Sequence, residues 1–439
     1  MLSYREIINL STALENELQQ LDKRFIEFIP LIRMHLYLSQ RSPAGNSSDR
    51  IDKKRSLQQR VIALTESAVK VMGACWKGLA CDQLFVAPAL SRNAPVENGL
   101  ASKHLDSLKS RFEGSRDCVW EFAPLPLGMS KKPSLADCVT VVSRFLEAAL
   151  PASKRVKSIK GIIHRGVCQA PERPDWDLNA LTKFLSLYEI QRSIYSVIFK
   201  RSSLVRAYFI CYYGSVPFPI LAALNDRNIE TIEYQHGIQS NVQPMYTQWE
   251  HLETLPKCMP RRMLLWDNVA VKRINQWGVR LGVQTEQIGN LWYSTNGYAP
   301  LPKPATTSIL VALQGFPDFF NFEVLKVMAK TTELEWVFRE HPIAVLSAPQ
   351  REELYRHNPG LTIMRSTEES LEASIERCSI CITGFSTVGL EALLCKRTTI
   401  FTHPNAREGL SEYIDGQQCF FADTEDAITR VIQACSSGS

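Results

Sequence analysis

A chain of 439 residues is longer than one hydrophobic core usually serves, so two domains with a ligand cleft between them are expected. Its 45% hydrophobic and 22% charged residues exclude wholesale disorder, and without an apolar run of about 18 residues a transmembrane helix is not expected. The 50 Lys+Arg and 45 Asp+Glu leave +5, spread along the chain rather than gathered in a run; no nucleic-acid partner is expected, and the pull toward anionic ligands or an anionic membrane surface is weak.

Residues 1–40 read as helix, with Phe25, Phe28, Ile29, Ile32, Leu36 and Leu38 as a partly apolar face ending at the polar stretch 42–55. That face suits a core-capping helix pair; flanked by Lys23 and Arg33, it also suits contact with a membrane surface. Residues 83–87 and 119–122 read as strands. The order then becomes regular: strand 204–211, loop 212–215, helix 217–225, strand 230–234, strand 263–266 and helix 268–277 with Gly278 as its stop. Such an order implies a parallel sheet with right-handed crossovers. Pro300, Pro302 and Pro304 mark a linker near 298–304. Beyond it lie strands 308–313, 335–339, 361–364, 379–383 and 398–401, with helices at 322–330, 368–376 and 387–395. The expected division is a helical segment 1–80, a first α/β domain 81–300 and a second 301–439.

Ligands of doubly wound sheets bind beyond the carboxyl ends of the strands, so the loops there carry the chemistry. Glu233-Tyr234-Gln235-His236-Gly237 ends one strand; the glycine permits a sharp turn, and the imidazole can hold an anion or move a proton near neutral pH. Arg339-Glu340-His341-Pro342 ends another. There the proline stops the strand, so His341 projects into the loop, within reach of a phosphate oxygen if Arg339 faces the same way. In Thr383-Gly384-Phe385-Ser386-Thr387 a strand runs into a helix capped by Ser386, whose N–H groups and dipole make an anion site. Glu391 lies one turn beyond Thr387 on the same face, placed to accept from ribose hydroxyls.

Other motifs read as structural. His403-Pro404 lacks the charged preface of His341-Pro342. Cys378 and Cys381 have redox spacing, but no second pair follows them and their run is β-like and apolar. Asp175-Trp176-Asp177 has the form used by some metal-dependent transferases, yet follows a proline-rich loop instead of a strand; no metal is expected. The 12 cysteines, with no signal peptide ahead of them, suggest a reducing cytoplasm.

Taken together, the Gln-His-Gly turn, the His-Pro pair and the Ser-Thr helix start resemble bacterial GT-B glycosyltransferases that build capsule and lipopolysaccharide, including sialyltransferase-like and Kdo-transferase-like families. The resemblance spans about residues 80–425 as a pattern and implies two Rossmann-like doubly wound domains facing across a cleft. It implies that His341, Pro342, Ser386 and Thr387 hold the donor nucleotide's phosphate and that Gln235, His236 and Gly237 form the acceptor-side turn; Arg339 and Glu391 join the donor site on their own positions. Transfer passes through an oxocarbenium-like state and expels a phosphate, which calls for anion stabilisation and a base. His236, Glu233 and Asp267 are the catalytic candidates, with Glu250 as a further carboxylate. The implied partners are a nucleotide sugar, a CMP-linked acidic sugar favoured, and a saccharide or glycolipid acceptor, at the inner face of the cytoplasmic membrane and with no cofactor. The chain departs from the family in having Ser-Thr for Ser-Ser. Rival readings are a CDP-polyol phosphotransferase of teichoic-acid type, a nucleotide-sugar 2-epimerase with Gly289-Asn290 at its strand end, and a non-catalytic polysaccharide-binding protein.

Overall fold

Short apolar runs bounded by turn residues become inner strands of parallel sheets. Ser308–Ala312, for example, is buried at every position, as a strand covered on both faces must be. The computed structural model describes residues 4–21, 23–39, 57–89, 92–96, 99–114, 116–122, 134–168, 177–298, 307–314, 320–342 and 345–437. The chain divides into two compact units. The first comprises Met1–Ser91, Leu108–His236 and Gln243–Ile288, the second Arg92–Ser107, Gly237–Val242 and Gly289–Ser439.

Strands in the first half are β1 (Gln83–Pro88), β2 (Arg92–Val96), β3 (Gly99–Ser102), β4 (Asp117–Phe122), β5 (Arg206–Ile210), β6 (Glu230–Tyr234), β7 (Arg262–Leu265) and β8 (Gln284–Gln287). The first unit's sheet has the order β4-β1-β5-β6-β7-β8 with all neighbours parallel. Helix Pro217–Asn225 is buried at every position, and Pro217 at its first turn costs no hydrogen bond. Helix Asn268–Leu281 runs past Gly278, the expected stop, to Gly282. Gly282 has φ 79°, the left-handed conformation that ends helices, whereas Gly278 packs closely on Ile274 and Val283.

Residues 1–40 are not one helix. They form helix Tyr4–Leu21, a 3-10 turn Lys23–Phe28 and helix Ile29–Ser39, since Pro30 has no N–H to continue a helix arriving from before it. Phe25, Phe28, Ile29, Ile32 and Leu36 lie inside the first unit's core. Arg33, expected at the edge of that face, is fully buried in an ion pair with Glu15. No described helix is long and apolar enough to cross a membrane.

In the second half, β9 (Ser308–Ala312), β10 (Glu335–Arg339), β11 (Thr362–Met364), β12 (Ile380–Thr383), β13 (Thr398–Phe401) and β14 (Cys419–Phe421) form a parallel sheet of order β11-β10-β9-β12-β13-β14. This is the 3-2-1-4-5-6 order of a dinucleotide-binding fold, with its switch point between β9 and β12. The expected helix 368–376 begins only at Leu371, because Ser370 caps it by accepting from Ala373 N. The antiparallel hairpin β2–β3 belongs to this second unit although it comes from the first quarter of the chain. Two Rossmann-like, doubly wound α/β units in one chain are the make-up of the GT-B fold class. Among the described residues the cysteines are free; Cys378 and Cys381 are buried and their thiols are pushed up by desolvation, Cys378 to about 12.

Candidate active site

The second unit's strand ends are held together across its switch point by Gln314, which follows β9. Its Nε2 donates to Phe385 O and its Oε1 accepts from Phe385 N, each at 2.6 Å. This two-way clamp fixes the turn after β12, and no sequence motif announces it. Next to it, Ser386 caps helix Thr387–Leu394 by accepting from Val388 N at 3.3 Å. Thr387 Oγ1 accepts from Ile238 N at 3.2 Å. A Cβ on Gly237 would stand 3.2 Å from that same oxygen, so glycine there allows the Gly237–Val242 segment to lie against the helix start.

Arg339 is engaged within its own unit. Its guanidinium is buried and donates to Ser374 Oγ at 2.9 Å and Glu369 O at 2.8 Å, fastening helix Leu371–Arg377 to the sheet. His341 is half-buried, Pro342 is exposed, and desolvation lowers the imidazole's proton affinity. It is therefore neutral at neutral pH and offers a neutral hydrogen bond. The loop's geometry comes from buried Glu340, which accepts from Leu346 N at 2.9 Å and from Arg351.

Glu391 is buried. Desolvation raises it to about 7; Lys103, 4.0 Å away, opposes that shift and Glu372 adds to it. Lys103 pairs more closely with Glu372, whose Oε1 also accepts from Trp292 Nε1 at 2.9 Å. Tyr293 lies under Lys103, with 5.9 Å from the ammonium to the ring centroid, and its buried hydroxyl has no hydrogen-bond partner among the described residues. Asn290 is also buried, with neither amide atom partnered among the described residues.

In the first unit, Glu233 is fully buried near the end of β6. Its Oε1 accepts from the Tyr246 hydroxyl at 2.5 Å and from Tyr212 N at 3.4 Å, and stands 3.8 Å from His236 Nδ1. Desolvation outweighs these bonds and pushes the carboxyl up to about 8. His236 keeps 23% of its side chain exposed, yet the loss of water around its ring brings it down to about 4. At neutral pH both groups are thus largely uncharged. Tyr213 flanks the imidazole at 6.0 Å between ring centroids.

Gln235 is buried and accepts from Trp266 N at 2.8 Å, tying the ends of β6 and β7 together. Asp267 caps helix Asn268–Leu281 by accepting from Ala270 N at 2.8 Å, so its carboxylate has a structural task. Glu250 is exposed. His403 caps helix Pro404–Gly409 through Asn405 N. Asp177 caps helix Leu178–Lys200, whereas Asp175 and Trp176 lie outside the described residues. Among the described residues no group of three or more His, Cys, Asp or Glu is placed to hold a metal ion.

Sequence reasoning found the strand ends but missed Gln314, Lys103, Glu372, Tyr212 and Tyr246. Only Tyr212 left a trace, in the loop that follows the strand 204–211.

No family model matches the chain, and no curated protein does. Solved structures are similar at low identity. HepE of Anabaena, in complex with UDP, is 10% identical, with 81% of this chain and 89% of that chain covered and a TM-score of 0.41. The glycotransferase of kitacinnamycin is 10% identical over 82% and 91%, TM-score 0.44. UDP-GlcNAc 2-epimerase of Neisseria meningitidis, bound to UDP-GlcNAc, is 8% identical over 80% and 90%, TM-score 0.43.

Proposed function

We propose that this chain is a glycosyltransferase that moves a sugar from a nucleotide-activated donor to a saccharide or glycolipid acceptor. The observation that carries the reading is the start of helix Thr387–Leu394 at the switch point of a 3-2-1-4-5-6 sheet, clamped by Gln314. A helix start there directs N–H groups and the positive end of a dipole beyond the strands, where a nucleotide's phosphate is held. Ser386 and Thr387 border the phosphate and His341 adds a neutral hydrogen bond, while Pro342 fixes the turn. Glu391, ionised, accepts from the ribose. Arg339 acts at one remove, by holding helix Leu371–Arg377.

On the acceptor side, His236 takes the proton of the attacking hydroxyl and Glu233 stabilises the imidazolium that results; Gln235 and Gly237 shape the turn. Asp267, already engaged as a helix cap, is the weaker base. In its narrower form the reading has a CMP-linked acidic sugar as donor, no metal, and capsule or lipopolysaccharide as product, made at the inner face of the cytoplasmic membrane.

A thermal-shift panel of CMP, CDP, UDP and GDP with their sugars tests this. One nucleotide should raise Tm in a concentration-dependent way, since a ligand bound only by the native state stabilises by RT ln(1+[L]/Kd). EDTA should not change that response. A flat response to the whole panel would remove the basis of the proposal.

A further inference from the structure

The N-terminal helices contain more than a core cover needs. Phe25, Phe28, Ile29 and Ile32 already supply apolar burial, yet Glu15 and Arg33 are both completely buried beside them. Burying an ion pair in place of apolar residues is often neutral or unfavourable for stability, so the pair calls for another explanation. It lies in where the other donors of Arg33 go. Nε donates to Glu15 Oε1 at 2.7 Å, while Nη1 reaches Pro244 O at 3.1 Å and Thr247 O at 2.8 Å, and Nη2 reaches Gln248 O at 3.1 Å. The guanidinium also lies 3.6 Å from the Trp249 ring centroid.

The segment so held has no regular secondary structure, and Gln248 adopts φ 55°. Its backbone acceptors are therefore satisfied from outside. Met245 O accepts from Trp249 Nε1 at 3.1 Å and from the Tyr212 hydroxyl, and Tyr246 O accepts from Trp277 Nε1 at 2.9 Å. Five consecutive carbonyls, 244 to 248, thus receive side-chain donors, and Arg33 serves three of them. At the centre is Tyr246, whose hydroxyl donates to Glu233 beside His236.

We propose that Arg33 is a positioning residue for the Glu233–His236 pair, setting the 244–248 turn so that the Tyr246 hydroxyl meets Glu233. The inference rests on the proposed role of that pair in catalysis. It gives the N-terminal helices a task in the chemistry although they contribute no group to it. The arrangement depends on the shape of arginine: a lysine keeps the charge opposite Glu15, but its single nitrogen cannot span carbonyls on three residues.

The test follows His236 ring resonances by NMR in the full-length protein with isotope-labelled histidine, from pH 6 to 10. Ionisation of Glu233 near pH 8 should imprint an inflection on them. Tyr246, Tyr212, Cys211 and His236 face that carboxyl, and of these the Tyr246 hydroxyl and the Tyr212 N–H favour its charged form, the hydroxyl the more strongly. Tyr246→Phe should move the inflection up by roughly half to one unit. Arg33→Lys should move it in the same direction, and the double variant should move it no further. Gln19→Ala, which cuts a bond to His251 O from the helix that carries Glu15, should leave it in place. If Arg33→Lys does not fold, the paired change Glu15→Gln with Arg33→Met removes both buried charges at once and is read in the same way. An inflection at the wild-type pH in a folded Arg33 variant would overturn the proposal. Full turnover by His236→Ala would instead sink the catalytic reading, and the NMR result would show which of the two had failed.

Discussion

The strand ends of the two units solve different electrostatic problems. At the end of β6, Glu233 and His236 lie together with shifted proton affinities, and the donors around them are tyrosines. At the ends of β9, β10 and β12 stand a helix start, two hydroxyls and a neutral imidazole. The cations there, Arg339 and Lys103, are engaged by Ser374 and Glu369 and by Glu372. A site that moves protons needs titratable groups with shifted affinities, whereas one that holds and releases an anion is served by neutral donors. On the proposed function, turnover belongs to the first region and nucleotide affinity to the second.

Removing the imidazole should break the contrast most severely. In His236→Ala, turnover should fall by roughly 10²- to 10⁴-fold, the range of general acid–base catalysis, with nucleotide affinity near normal. Parallel loss of both would merge the two roles.

Next in size is the pH response of Glu233. Its folded-state affinity, about 8, lies above the ordinary value of 4.5, so between those two pH values the folded protein keeps a proton that the unfolded chain has lost. Stability from this group therefore falls as pH rises through that window, by on the order of a few kcal/mol in total. Turnover should rise as Glu233 ionises toward pH 8. Denaturant titrations and pH–rate profiles of Glu233→Gln should show both slopes removed, and unchanged slopes would assign them to another group.

A smaller effect belongs to Glu391, raised to about 7 next to Lys103 and Glu372. If its carboxylate accepts from ribose, nucleotide affinity should weaken as pH falls through 7, and Glu391→Gln should bind weakly with no such dependence. Calorimetry at pH 6 and 8 separates the outcomes, and a steeper dependence in the variant would contradict the role.

Much of the fold was legible because it is written locally. The buried parallel strand Thr398–Phe401 is a β-branched and apolar run, and both it and Glu230–Tyr234 have the expected bounds. The site was legible only as far as single loops carry it. Gln235-His236-Gly237 and Ser386-Thr387 stand at strand ends as read, but nothing near Gln314 signals that it will grip Phe385, 71 residues away. Lys103 gave no sign of meeting Glu372, since a hairpin from the first quarter of the chain joins the second unit only through tertiary packing. Arg33 looked like a surface cation because its partners, Glu15 and the 244–248 carbonyls, are distant in sequence. Arg339 misled for the opposite reason. Its neighbour His341 suggested a shared phosphate, whereas the guanidinium is taken up by Ser374 and the Glu369 carbonyl, 35 and 30 residues further along the chain.

The most direct test of the division of labour is calorimetric titration of the nucleotide that stabilises the protein into wild type, His341→Ala and His236→Ala. Loss of a neutral hydrogen bond, about 0.5–1.5 kcal/mol, should weaken binding to His341→Ala roughly two- to ten-fold and leave His236→Ala at the wild-type Kd. Weakened binding in His236→Ala with an unchanged Kd in His341→Ala would contradict the account.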